Sequence, residues 1–471
     1  MTSTVELPLW LFLLILLFAA VTFASHFLFP SVRWFFRIRL ERAVARLNER
    51  LERPIQPFKL ARRYDTIQRL IYDPEVLKAV TDYAASEGVP ENVAAELARR
   101  YAREIVPSFS ATAYFGFAIR AARWLGNALY LVRLGHYDAE GIGRIDPRAT
   151  VVFVMNHRSN MDYVLVTYIA AERSALSYAV GEWAQVWPLS WLIRAMGAYF
   201  IRRKSRNELY RKVLSRYVQM ATGAGVTQAI FPEGGLSRTG ALTPPRLGLL
   251  KYVIDGYHAG GRDVVFVPVA LNYDRVLEDR NLIAAANREG HRFNAGIGVV
   301  MRNALRLLWL RMTGRYHRFG HAAVSFGSPV SLAKFLDSAG GEDVTEALAD
   351  DLMRRIGEVV PVLPVPMICW LLLEKGPLTR VEIELGLARI MEALPSAHIH
   401  LPRENRGLAA ETGLLQLTRR RVIREAGEVY EPVPEQIEIL RYYANSIRHL
   451  FSDEETIVSA SAKGISASAR S

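Results

Sequence analysis

The sequence is poor in the groups that cross-link chains or bind metals. Cys369 is the single cysteine in 471 residues, so no disulfide can form within the chain, and a reducing, cytosol-facing environment fits. Histidines number ten. None falls in the His-Glu-x-x-His spacing that puts two ligands on one helical face, and Cys369 sits in an apolar run, so neither a metal nor a cofactor is expected. Also missing are paired zinc ligands, a basic region leading into heptads and an aromatic RNA-binding consensus, so nucleic acid is not an expected partner. Between Glu6 and Arg33 there is no Asp, Glu, Lys or Arg.

That uncharged stretch, PLWLFLLILLFAAVTFASHFLFP, is long enough for a hydrocarbon core of ~30 Å. A cleaved signal peptide normally opens on positive charge, whereas MTSTVELP carries only Glu6. Residues 1–32 are therefore expected to be a retained transmembrane anchor. Arg33 to Arg53 then holds seven Arg and three Glu, with aromatics at its membrane end. A basic amphipathic juxtamembrane helix over 33–59 is the reading, with a solvated stalk as its plain alternative. Because basic flanks stay inside, the rest of the chain is expected to face the cytoplasm from the inner membrane.

The formal charge is +12, from 59 Lys and Arg against 47 Asp and Glu. Such an excess favours anionic partners: a phospholipid membrane, phosphorylated substrates or an acidic carrier. Helical patterns run over 60–135, where Asp73-Pro74 supplies an N-cap followed by a first-turn proline. From Thr150 short β-branched runs such as VVFVM and VVFVPVAL alternate with amphipathic segments. The alternation predicts an α/β domain over 136–330, a central mixed sheet flanked by helices. A helical region over 331–452 and a small, polar, disordered tail over 453–471 complete the expected organisation. Oligomeric state is not legible at this level.

Four segments carry candidate chemistry. In VVFVMNHRSNMDYVLV, His157 and Asp162 follow a buried strand, at the carboxyl edge where open α/β sheets place ligands. An imidazole there can take a proton from a hydroxyl while the carboxylate fixes its tautomer. A loop histidine with a capping aspartate reads equally well from this spacing alone. GAYFIRRK ends in Arg202, Arg203 and Lys204; the arginine forks suit a phosphate, and the run reads equally as a basic surface. FPEGGLSRTG pairs glycines with Glu233, Ser237, Arg238 and Thr239, either a polyol site or a plain turn. In VFVPVALNYDRV, Pro268 interrupts a β-branched run, which strands tolerate at an edge or a bulge.

NHRSNMDYVL, GAYFIRR, FPEGGLSRTG and VFVPVAL stand in the order and rough spacing of the four blocks of the glycerolipid acyltransferase superfamily. With LEKGPLTRVEI and ILRYYANSIRHLF they most resemble glycerol-3-phosphate acyltransferases, over about Asp73 to Phe451. The resemblance implies His157 as general base and Asp162 as its orienting partner. Gly197, Arg202 and Arg203 would contact the acceptor phosphate, and Glu233 and Gly234 the glycerol moiety. Ser237 and Arg238 would add polar contacts, and Pro268 would serve acyl-donor binding or local architecture. The implied reaction transfers a fatty acyl group from acyl-CoA or acyl-carrier protein to glycerol-3-phosphate, with no covalent acyl-enzyme. One position departs from the pattern, since Leu236 stands where these enzymes commonly have Arg after the paired glycines. It keeps lysophosphatidate as an alternative acceptor; a membrane-tethered lipid-binding scaffold without catalysis is the rival of another class.

Overall fold

The computed structural model describes residues 8–18, 42, 44–170, 175–181, 189–202, 207–286, 318–338, 343–395 and 406–451. The chain divides into two compact units, Met1–Pro54 and Ile55–Ser471. In the first, residues 9–18 are helical and present Leu9, Trp10, Phe12 and Leu13 at the surface. Among the described residues no helix is long and apolar enough to cross a membrane. Most of the expected anchor and basic helix, residues 19–41, lies outside them, as do Arg203, Lys204 and the tail from 452.

The second unit is built on a mixed eight-stranded sheet. Its strands are β1 (Leu131–Tyr137), β2 (Thr150–Met155), β3 (Ser177–Gly181), β4 (Tyr199–Ile201), β5 (Gln228–Ile230), β6 (Val264–Tyr273), β7 (His321–Phe326) and β8 (Val330–Ser331). They lie in the order β1-β7-β6-β2-β5-β3-β4, with β8 paired to β6. The stretch from β6 to β4 is parallel throughout, so β2, β5, β3 and β4 end on one edge. β7 runs antiparallel to β6 and parallel to β1.

Helices cover both faces, which is why β6 is buried along its whole length. Its side chains alternate with period two: Val265, Val267, Val269 and Leu271 enter one core cluster, Val264 and Phe266 the other. Helices Arg63–Ile71, Pro74–Glu87 and Glu91–Ile105 pack on the second face, and helix Pro364–Lys375 contributes to the first. Asp73 caps its helix through Glu75 N at 3.0 Å, with Pro74 in the first turn.

Two boundaries differ from the sequence reading. β1 begins at Leu131, inside the stretch read as helical, because its apolar residues pair with β7. The C-terminal region is not purely helical: Leu378–Thr379 (β9), Ile423–Ala426 (β10) and Val429–Pro432 (β11) form a small separate sheet. Pro268 is not at an edge either, since β6 lies between β7 and β2. Its position still spares the ladder. On that flank β8 pairs with β6 only as far as Phe266 and β7 only from Val269, and the Pro268 carbonyl accepts from Gly327 N at 2.8 Å.

Candidate active site

β2 ends at Met155, and the loop that follows folds around one carboxylate. His157 Nδ1 lies 2.8 Å from Asp162 Oδ2, which also accepts from the backbone N–H of Arg158 at 2.7 Å and of Ser159 at 3.0 Å. Asp162 opens the helix Asp162–Ala170. The other oxygen, Oδ1, accepts from the hydroxyl of Tyr273 at the end of β6. Burial and the Asp162 carboxylate hold that hydroxyl well above its usual range, so it stays a donor. Both members of the His–Asp pair are buried. With a carboxylate accepting at Nδ1, the neutral imidazole carries its proton there and leaves Nε2 as the basic lone pair.

Neighbouring strands lock this loop in place. Asn156 gives its amide to Leu271 O at 3.0 Å and accepts from Leu271 N at 2.8 Å, continuing the β2–β6 ladder through a side chain. The His157 ring stacks on Phe231, the residue after β5, with centroids 4.1 Å apart. Tyr163 meets its edge at 5.6 Å. Glu278, in the loop after β6, accepts from Ser159 Oγ at 2.8 Å and Asn160 Nδ2 at 3.0 Å.

Glu233 arrives from β5, the strand beside β2, and its Oε2 accepts from His157 N at 3.4 Å. Burial pushes its carboxyl up to about 8, against the opposing pull of the His157 N–H and of Arg158. At neutral pH it is therefore mostly protonated and able to donate a hydrogen bond. A carboxyl whose folded value is raised supports the fold fully below its unfolded value of 4.5 and loses that support as pH climbs through about 8. Glu233→Gln removes this titration. Its melting temperature relative to the parent protein should rise between pH 5 and 9, by an amount reflecting on the order of a few kcal/mol. Parallel pH curves for the two proteins in scanning calorimetry would rule out a neutral, buried Glu233.

The remaining expected residues divide between this centre and other places. Ser237 N donates to His157 O at 2.9 Å, which ties the two loops together. Its hydroxyl is committed locally, donating to Ala241 O at 2.7 Å and accepting from Gly240 N at 3.1 Å. Gly234 takes a left-handed φ of 67° and Arg238 points to solvent. Gly240, at φ 86°, lies so close to the carbonyl of Tyr442 that any Cβ would overlap it. That contact seats the C-terminal helix Ile437–Ala444 against the FPEGGLSRTG segment.

Arg202 is held away from this centre. β4 is three strands from β2, about 14 Å at ~4.8 Å per strand. Its guanidinium forms a two-pronged pair with Glu104, Nε to Oε1 at 2.9 Å and Nη2 to Oε2 at 2.6 Å, between the rings of Tyr101 and Tyr210. Glu104 holds it above the usual arginine range. Gly197, at φ 85°, leaves room for Lys59 and Phe109; an added Cβ would lie 2.8 Å from Lys59 Cε. Lys59 itself is buried and donates to Ala175 O and Leu176 O, both at 2.8 Å. Gly197 and Arg202 thus help fasten the helices that carry Lys59 and Glu104 to the sheet.

Sequence reading passed over Arg158, Tyr273 and Glu278. Arg158 is buried beside Glu233, donates to Gly240 O and lies over the Tyr442 ring at 5.3 Å. Its Nε and Nη2 have no hydrogen-bond partner among the described residues. It stood inside the first block with nothing local to set it apart. Tyr273 and Glu278 lie over 100 residues away, at separations of 111 and 119. Among the described residues, no group of three or more His, Cys, Asp or Glu is placed to hold a metal ion.

The buried His–Asp pair lies within residues 137–272, which match a family model described as Acyltransferase. A second, described as Glycerol-3-phosphate acyltransferase C-terminal region, matches residues 305–469. Over these two stretches the chain is similar to glycerol-3-phosphate acyltransferases. It is 28% identical over 446 residues to the glycerol-3-phosphate acyltransferase of Pseudomonas entomophila (strain L48), covering 88% of this chain and 52% of that protein. The enzyme of the same name from Pseudomonas fluorescens (strain Pf0-1) is 26% identical over 447 residues, with the same coverage. The chain spans about half the length of these curated relatives. Among solved structures, the 1-acyl-sn-glycerophosphate (LPA) acyltransferase from Thermotoga maritima matches with a TM-score of 0.30 and 19% identity, over 51% of this chain and 76% of that one.

Proposed function

We propose that this protein transfers a fatty acyl group from a thioester donor, acyl-CoA or acyl-carrier protein, to a hydroxyl of glycerol-3-phosphate. The observation that carries this reading is the buried His157–Asp162 pair at 2.8 Å, with Glu233 of the neighbouring strand bonded to the same loop. Nε2 of His157 takes the proton of the acceptor hydroxyl, whose oxygen attacks the thioester carbonyl. The tetrahedral intermediate expels the thiolate, which recovers the proton from the imidazolium. Asp162 keeps the productive tautomer and stabilises the imidazolium. Protonated Glu233 donates to the glycerol moiety, and Gly234 lets backbone approach it. Gly197, Ser237 and Pro268 hold the framework. Arg203 and Arg238 remain the candidate phosphate contacts of the second and third blocks, and Arg202 joins them where the acceptor displaces Glu104.

Leu236 keeps lysophosphatidate as the second reading, because its side chain packs against the core and supplies no cation. The uncharged residues 7–32 support a membrane tether that leaves the catalytic unit in the cytoplasm. One assay tests all of this: thiol release by membrane and soluble fractions of expressing cells, with glycerol-3-phosphate, dihydroxyacetone phosphate and lysophosphatidate as acceptors. Glycerol-3-phosphate should give the highest kcat/KM, in the membrane fraction. A preference for lysophosphatidate selects the second reading, and activity confined to the soluble fraction removes the tether. Donor binding with no thiol release from any acceptor leaves a lipid-binding scaffold instead.

A further inference from the structure

On the far side of the loop that follows β6 lies an open cavity of about 510 Å³. Arg275, Arg280, Arg318, Arg419 and Arg420 line it, with Asp279 as the only carboxylate of the lining among the described residues. That carboxylate is already engaged, because Asp279 Oδ2 accepts from Arg420 Nη2 at 2.5 Å and from the Tyr443 hydroxyl. Arg420 also reaches the Tyr443 hydroxyl at 3.1 Å, which fixes its fork. Arg275 lies over the Phe319 ring at 4.2 Å. No carboxylate among the described residues forms an ion pair with Arg275, Arg280, Arg318 or Arg419. Five like charges gathered in one hollow, with Asp279 as their only counter-charge among the described lining residues, cost free energy that a bound polyanion would relieve.

The cavity shares a wall with the His–Asp centre. Glu278, next to Asp279, holds Ser159 and Asn160 of the His157 loop. Tyr130 donates to Arg275 O at 2.8 Å, and its ring lies 5.5 Å from that of Tyr273, the residue bonded to Asp162. Five guanidinium forks and this volume exceed what a single phosphate of an acceptor requires. They suit a ligand with several phosphate groups, each able to take bidentate hydrogen bonds from arginine.

We propose that this arginine-lined cavity binds the phosphate-bearing nucleotide end of a coenzyme A thioester, so that the acyl end reaches the His157 loop across the wall formed by residues 273–279. The inference rests on the acyl-transfer reading for its meaning, but binding of free coenzyme A tests it without any transfer step. Coenzyme A titrated into the purified full-length protein by calorimetry should bind about ten- to a hundredfold more weakly to R318A/R419A than to the parent. R318K/R419K should lose less, and R99A/R103A, an exposed pair on a different helix, should bind like the parent. Pantetheine, which lacks the phosphates, should not distinguish any of the variants.

In turnover, R318A/R419A should lower kcat/KM for acyl-CoA relative to acyl-pantetheine by the same factor, and unchanged melting temperatures would confirm folding. Equal coenzyme A affinity in all variants overturns the proposal. So does weakened binding of glycerol-3-phosphate in its place, or an effect limited to acyl-carrier protein as donor. A protein that binds coenzyme A here yet transfers no acyl group would refute the proposed reaction alone.

Discussion

Replacing His157 with alanine should lower acyl transfer by ~10²- to 10⁴-fold, the range for loss of a positioned general base. Among the described residues the ring's partners are Asp162, Phe231 and Tyr163, and none is a backbone group. Truncation removes the stacked face but leaves the loop's other ties: Asn156 to Leu271, Ser237 N to His157 O, and Glu278 to Ser159 and Asn160. The variant should therefore fold and still bind donor, losing kcat with little change in KM. Thiol-release kinetics decide it. Turnover near that of the parent would mean that another group removes the proton.

Asp162→Asn is expected to match that loss to within about tenfold, through a different route. Oδ2 of Asp162 receives His157 Nδ1 and two backbone N–H groups, while Oδ1 receives the Tyr273 hydroxyl. An asparagine can keep its carbonyl toward the first three and turn its NH₂ toward Tyr273, whose hydroxyl can accept instead. The geometry survives but the negative charge does not, so the imidazolium formed during proton transfer loses its counter-ion. The signature is a fall in kcat with acceptor KM retained. A D162N enzyme that turns over normally, or one whose defect is entirely in acceptor KM, would contradict an orienting role.

How much of this was legible differs from residue to residue. The His157–Asp162 contact is local: the strand end at Met155 and the six-residue turn 156–161 bring positions five apart together, so motif and geometry coincide. Arg202 is the opposite case. Its composition and place in a basic run point to phosphate, yet its fork is taken by Glu104, 98 residues earlier, across a helix-to-sheet contact that no local pattern records. Pro268 reads as an edge or bulge residue, and the structure puts it in a central strand at the gap between two partners, a matter of sheet order and not of strand chemistry.

By itself the sequence determined what depends on short range. That covers the alternation that makes an α/β unit, the Asp73-Pro74 cap, and a histidine and aspartate spaced to meet around one turn. Tertiary structure alone decided the protonation of Glu233, because desolvation is set by everything packed around the group. It alone closed Tyr273 onto Asp162 and collected arginines from positions 275 to 420 around one hollow. The physical reason is the same in each case. Burial and long-range contact arise from how the layers pack, and periodicity along a chain reports only which face of an element is apolar.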